Sequence, residues 1–77
     1  MDFPQFRKYP NGASYFKIES AESFEELKKM GEKWTVENYE VKILPDRNFV
    51  YDLLHKCPDF ALCIEADEYE KTRKKVV

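Results

Sequence analysis

The sequence predicts an α+β fold: a small, mainly antiparallel sheet of four or five strands with two helices on one face. Three observations predict it. Two alternating runs flank the turn residues Pro10-Asn11-Gly12, and further alternating runs follow Lys33 and Phe60. Two segments, one from Ala21 and one from Asp67, carry helix-start residues. At 77 residues the chain is long enough for one small domain, 1–77, with residues 1–5 as a flexible lead containing Pro4.

The elements follow in order. Phe6 to Tyr9 and Ala13 to Glu19 read as strands joined through Asn11-Gly12, the strongest short hairpin signal. In the second run Phe16 and Ile18 share one face, and Tyr15, Lys17 and Glu19 share the other. A helix is expected over 21–30. Ser20 or Ser23 can cap it, Ser23 and Glu26 have capping-box spacing, and Gly31 supplies the stop. Ala21, Phe24, Leu27 and Met30 form its apolar stripe.

Lys33 to Leu44 reads as a long strand. Its alternation changes phase at Glu37-Asn38, as a bulge or tight turn would produce. Pro45-Asp46-Arg47-Asn48 is a turn sequence. The next segment fits two patterns. Phe49, Val50, Leu53, Leu54 and Cys57 fit a helical face, and Phe49, Tyr51 and Leu53 fit one face of a strand. The β-propensity of Phe-Val-Tyr and the preceding turn favour a strand over 48–54. After Pro58-Asp59, the alternation of Phe60, Leu62 and Ile64 predicts a buried strand, and Asp67 caps a final helix striped by Tyr69 and Val76. The run Lys17–Glu26 echoes Cys63–Lys71, strand into capped helix each time, which suggests a ββα-type internal repeat.

The run Phe6-Arg7-Lys8-Tyr9, then Ser14-Tyr15-Phe16-Lys17-Ile18, with Leu44-Pro45-Asp46-Arg47-Asn48 later, resembles small uncharacterised bacterial proteins of about this length. The likeness covers most of the chain, rests on no catalytic or ligand motif, and implies no activity.

Composition excludes several chemistries. With only Gly12 and Gly31, neither a dinucleotide fingerprint nor a P-loop can be written. No apolar run is long enough to span a bilayer as a helix. No secretory leader is visible, so a cytoplasmic location with Cys57 and Cys63 as thiols is expected. Thirteen basic against fifteen acidic residues, net −2, weaken any general attraction to nucleic acid or anionic membrane.

Three constellations could carry function. His55, Cys57 and Cys63 are the soft metal-ligand candidates, with Asp52 or Asp59 as a fourth ligand, and the same His/Cys set is the only one for thiol catalysis. Paired short ligand spacings and an oxyanion hole are both missing, so neither a metal, a cofactor nor an enzymatic activity is expected. The acidic runs sit early in the expected helices and complement their dipoles. Aromatics are the unusual feature, twelve of 77 residues. With helices on one face, the opposite face would carry Arg7, Tyr9, Tyr15 and Lys17. Such a face suits a protein partner or a second copy of the chain. The alternative is single-stranded nucleic acid, stacked on the tyrosines and tracked by the cations. The sequence therefore points to a small non-enzymatic interaction or self-associating module.

Overall fold

A computed structural model describes residues 2–76. Its strands are β1 (Gln5–Lys8), β2 (Ser14–Ser20), β3 (Ser23–Met30), β4 (Lys33–Glu40) and β5 (Leu62–Cys63), and its helices are α1 (Leu44–His55) and α2 (Ala66–Arg73). The strands form one antiparallel sheet in the order β4-β3-β2-β1-β5. The α+β class, the antiparallel sheet and the number of helices are as the sequence predicts. Three placements differ.

The segment expected as a helix over 21–30 is strand β3. Ser20 and Ser23 face each other across a two-residue turn, with Ser20 Oγ accepting the Glu22 N–H at 3.1 Å. Gly31, at φ +64°, turns β3 into β4 through a second two-residue loop. The ββα repeat is not found, because the first half of the echo is strand–turn–strand.

The segment expected as a strand over 48–54 lies within helix α1. Pro45 sits in its first turn, where a missing N–H costs nothing, and Val50 and Leu53 are buried. The spacing of Phe49, Val50, Leu53 and Leu54 turns one side of the helix onto the sheet, which outweighs the β-propensity of three residues.

The two helices lie on opposite faces of the sheet, not on one. Arg7 pairs with Phe16, and Ile18 with Phe24, so these four share a face. Helix α1 covers it: Phe49 meets the rings of Phe16 and Phe24 at 5.8 and 5.7 Å. Tyr9 and Phe60 complete this aromatic core. Phe6, Lys8, Tyr15, Lys17, Glu25 and Leu27 occupy the other face by the same register. Helix α2 covers that one, with Tyr69 against Phe6 at 5.3 Å and its hydroxyl donating to Glu25 Oε1 at 2.5 Å.

Two covered faces explain the misleading periodicity. Phe24 and Leu27 are three residues apart, which puts them on one side of a helix but on opposite sides of a strand. Both are buried, Phe24 under α1 and Leu27 on the α2 side. The phase change in β4 has the same origin. Its pairing to β3 runs without a shift from Lys33 to Glu40, with Trp34 and Val36 on the α2 side and Tyr39 on the α1 side. The strand ends at Glu40 rather than Leu44, and the register irregularity lies in β2, between Ile18 and Ser20.

Truncations separate the strand from the helix. Phe24→Ala is expected to cost about 3–5 kcal/mol and Leu27→Ala about 2–5 kcal/mol in urea unfolding. Met30 is 57% exposed, so Met30→Ala is expected to stay within about 0.5 kcal/mol of the parent. A helix over 21–30 would make all three costly.

Candidate functional site

The four residues expected on one open face are divided between the two sides of the sheet. The hairpin loop fixes this outcome. Tyr9 N–H bonds Ser14 O at 3.0 Å across a four-residue loop, which sets Arg7 opposite Phe16. Arg7 and Tyr9 therefore face α1, and Tyr15 and Lys17 face α2.

Arg7 is 6% exposed and works inside the fold. Its guanidinium donates through Nε to Leu53 O at 2.9 Å and through Nη2 to Leu54 O at 3.4 Å. It also donates through Nη1 to Phe6 O at 2.8 Å. A cation at the carbonyl end of a helix satisfies groups the helix cannot pair and complements its dipole. Burial lowers the Arg7 pKa from its ordinary 12.5, and the group stays charged at neutral pH. Tyr9 packs edge-on to Phe16 and Phe60, and burial, with Glu26 nearby, raises its phenol pKa.

The basic–aromatic pair on the other face is Lys8 with Tyr15, at 5.7 Å from ammonium to ring centroid. Lys8 is also bonded to Glu68 of α2 at 2.5 Å, and that hydrogen bond raises its pKa. Glu25 accepts a hydrogen bond from Tyr69 and forms an ion pair with Arg73, Nε to Oε1 at 3.3 Å. Arg7 and Lys8 are thus engaged with the helices, and Tyr9 and Tyr15 with neighbouring rings on opposite faces of the sheet, so Arg7, Tyr9, Tyr15 and Lys17 form no continuous stacking platform.

Cys57 and Cys63, expected as thiols, are joined as a disulfide with Cα atoms 6.1 Å apart. The bond ties the segment after α1 to β5. His55 sits in the last turn of α1 with its ring 4.4 Å from that of Tyr51. Among the described residues no group of three or more His, Cys, Asp or Glu side chains is gathered to hold a metal ion. No helix among them is long and apolar enough to cross a membrane.

Besides an open polar hollow of about 350 Å³ lined by Ser20, Glu22, Ser23, Glu40, Val41 and Lys42, two further surface features stand out. A shallow hollow of about 250 Å³ lies between the β2–β3 turn and α1, with Arg47, Tyr51 and His55 on its wall and Val50 and Leu54 below. The other is the outer edge of β4. The Val41 N–H bonds Glu22 O at 2.7 Å, in phase with the β3–β4 register, so odd-numbered β4 residues turn their peptide groups toward β3. Those of Trp34, Val36, Asn38 and Glu40 point away from the sheet. Among the described residues only Val76 meets this edge, in a single parallel bridge to Trp34. The strand has eight residues, no proline and no bulge, and its side chains are exposed or half-buried. The opposite edge is β5, two residues long.

The alternation from Lys33 reveals β4 as a strand, but only the strand order shows that it is an edge. No known protein family, curated protein or solved structure matches the chain.

Two outcomes test these assignments. Arg7→Met keeps the apolar stem and removes the donors, and is expected to destabilise by about 1–3 kcal/mol in chemical unfolding. Burial, then the bond to Glu25, raises the Tyr69 phenol pKa well above its ordinary 10, and a hydrogen bond to Glu37 raises that of Tyr39 to about 12. The unfolded phenols ionise at about pH 10 while the folded ones stay neutral, so stability is expected to fall as pH rises past 10. Tyr69→Phe should flatten that decline in unfolding curves taken between about pH 8 and 11.

Proposed function

We propose that the protein is a non-enzymatic interaction module that binds an extended strand along the outer edge of β4. The observation that carries the proposal is the run of outward peptide groups at Trp34, Val36, Asn38 and Glu40 on a long, straight, accessible edge. Natural sheets blunt such edges with short strands, prolines, bulges or cover. Here β5 is blunted by its length, whereas among the described residues the covering of β4 is one bridge at Trp34. Strand addition draws affinity from main-chain bonds and specificity from alternate side chains. Trp34 and Val36 would supply the apolar contacts, and Lys33 and Glu37 the charged ones.

The alternatives have less support. The hollow beside α1, at about 250 Å³, falls below the roughly 300–1,000 Å³ usual for small-molecule sites, and the one of about 350 Å³ beside Glu40 and Lys42 is open and lined almost entirely by polar and charged residues, without the apolar walls such sites use. Single-stranded nucleic acid would need Arg7, Tyr9, Tyr15 and Lys17 on one surface. Cysteine chemistry would need free thiols. The Cys57–Cys63 disulfide also fits an oxidising compartment better than the reducing cytoplasm expected from the sequence.

Amide exchange tests the proposal. An extended peptide of alternating apolar and charged residues is titrated into the protein. The Val36 and Asn38 amides are expected to slow, while those of Glu37 and Tyr39, already directed at β3, stay unchanged. Val36→Pro removes one outward N–H at a position where an edge strand tolerates proline, so it should fold and fail to bind. Protection confined to α1 would overturn the assignment.

A further inference from the structure

We infer that the strand added at this edge is β4 of a second copy of the chain, antiparallel about a two-fold axis at Thr35. The inference rests on the strand-addition reading of the same edge. It goes further in naming the partner and the register.

The geometry restricts the options. Antiparallel pairing of two identical edges needs a two-fold axis perpendicular to the sheet, which keeps the α1 faces of both copies on one side. Residues directly opposite must then come from the same face, so only registers centred on a residue of β4 are allowed. Centring on Glu37 sets that carboxylate against itself. Centring on Val36 sets Lys33 against Tyr39 and Thr35 against Glu37, leaving no charge matched.

Centring on Thr35 matches all five positions that it pairs, Lys33 to Glu37, and leaves Asn38 to Glu40 beyond the end of the second copy's β4. Lys33 lies opposite the second copy's Glu37, and Glu37 opposite its Lys33. Trp34 lies opposite Val36 and Val36 opposite Trp34, both on the face that carries α2. Thr35 meets Thr35 on the axis. Opposite charges, aromatic with β-branched, and threonine with threonine are the favourable cross-strand combinations. The hydrogen-bonding phase agrees: the directly bonded pairs are those of Trp34 with Val36, whose peptide groups already point outward. The product is one continuous sheet of ten strands, five from each copy.

The bridge from Val76 to Trp34 occupies part of this contact. The segment after α2 and the second copy therefore compete for Trp34, and the tail limits how tightly the copies join.

Charge exchange tests the register. Lys33 and Glu37 are both exposed and make no ion pair among the described residues, and the side-chain bond that reversing Glu37 removes is the one from the exposed Tyr39 hydroxyl, so reversing either should leave the fold intact. In sedimentation equilibrium from about 10 µM to 1 mM, wild type is expected to dimerise. Lys33→Glu alone and Glu37→Lys alone should each weaken the dimer about tenfold, because each puts two like-charge pairs across the axis. An equimolar mixture of the two variants restores both opposite-charge pairs and should form a heterodimer near wild-type strength. Ending the chain after Lys75 should tighten the wild-type dimer. Wild type monomeric throughout, a mixture no stronger than its components, or a dimer weakened by removing Val76 would each overturn the inference. A monomer whose Val36 and Asn38 amides are still protected by an added peptide would overturn the second copy as partner and leave strand addition standing. A monomer whose edge no peptide protects would overturn both.

Discussion

A helix on each face of one five-stranded sheet is the constraint on which the rest of this structure depends. In a strand, neighbouring side chains leave on opposite sides. Where one side is open, the sequence alternates apolar with polar. Where both are covered, apolar residues can fall at any spacing. Strand β3 shows the consequence: Phe24 is buried beneath α1 and Leu27 on the α2 side, while Glu25 and Glu26 between them find partners in Tyr69 and Ser14. The carboxylates are held because each helix or neighbouring strand brings a donor to it. A small domain gains from this arrangement, since one sheet serves two layers of core.

The two layers are secured differently. The α1 layer is largely aromatic, built from Tyr9, Phe16, Phe24, Phe49 and Phe60, and is closed at one end by the Arg7 guanidinium on the last carbonyls of α1. The Cys57–Cys63 bond acts a few residues further on, fixing the segment that carries the chain from α1 to β5. The α2 layer is more polar. Tyr69 is its largest buried side chain, and Lys8–Glu68 and Arg73–Glu25 border it. Exposed and half-exposed ion pairs contribute little by themselves. They fix the position of a short helix whose own stripe is only Tyr69 and Thr72.

Much of the fold was legible in the sequence, and the failures share one physical cause. The Asn11-Gly12 hairpin, the strand from Ser14, the strand from Lys33 and the final helix follow from local turn chemistry and alternation. Residues 21–30 misled because Phe24, Leu27 and Met30 satisfy a helical spacing and Gly31 a helix stop. The same residues satisfy a doubly covered strand with a glycine turn, and no local signal separates the two. The segment from Phe49 was open to both readings, and the sheet it packs against decided for the helix. The candidate site was less legible. Grouping Arg7, Tyr9, Tyr15 and Lys17 requires one open face of the sheet, and the register and a second helix remove that face. Edge status belongs to the strand order and not to any residue, so β4 could be recognised as a strand but not as a boundary.

The path of the chain explains why the boundary lies there. From β4 the chain passes into α1, which crosses one face toward β1, and the disulfide-bound segment delivers it to β5 at the far edge. Helix α2 then crosses the other face in the opposite direction, past Phe6 and Glu25, and reaches β4 with Val76 at Trp34. Both faces are covered in these two passes, and β5 ends one side of the sheet with a strand too short to template another. The hydrogen-bonding capacity of the sheet is left on the strand from which the chain departed. An edge of eight residues with outward peptide groups must be solvated, guarded or paired. Among the described residues the bridge from Val76 guards its first residues, and the alternate positions beyond Trp34 keep their groups available to another strand.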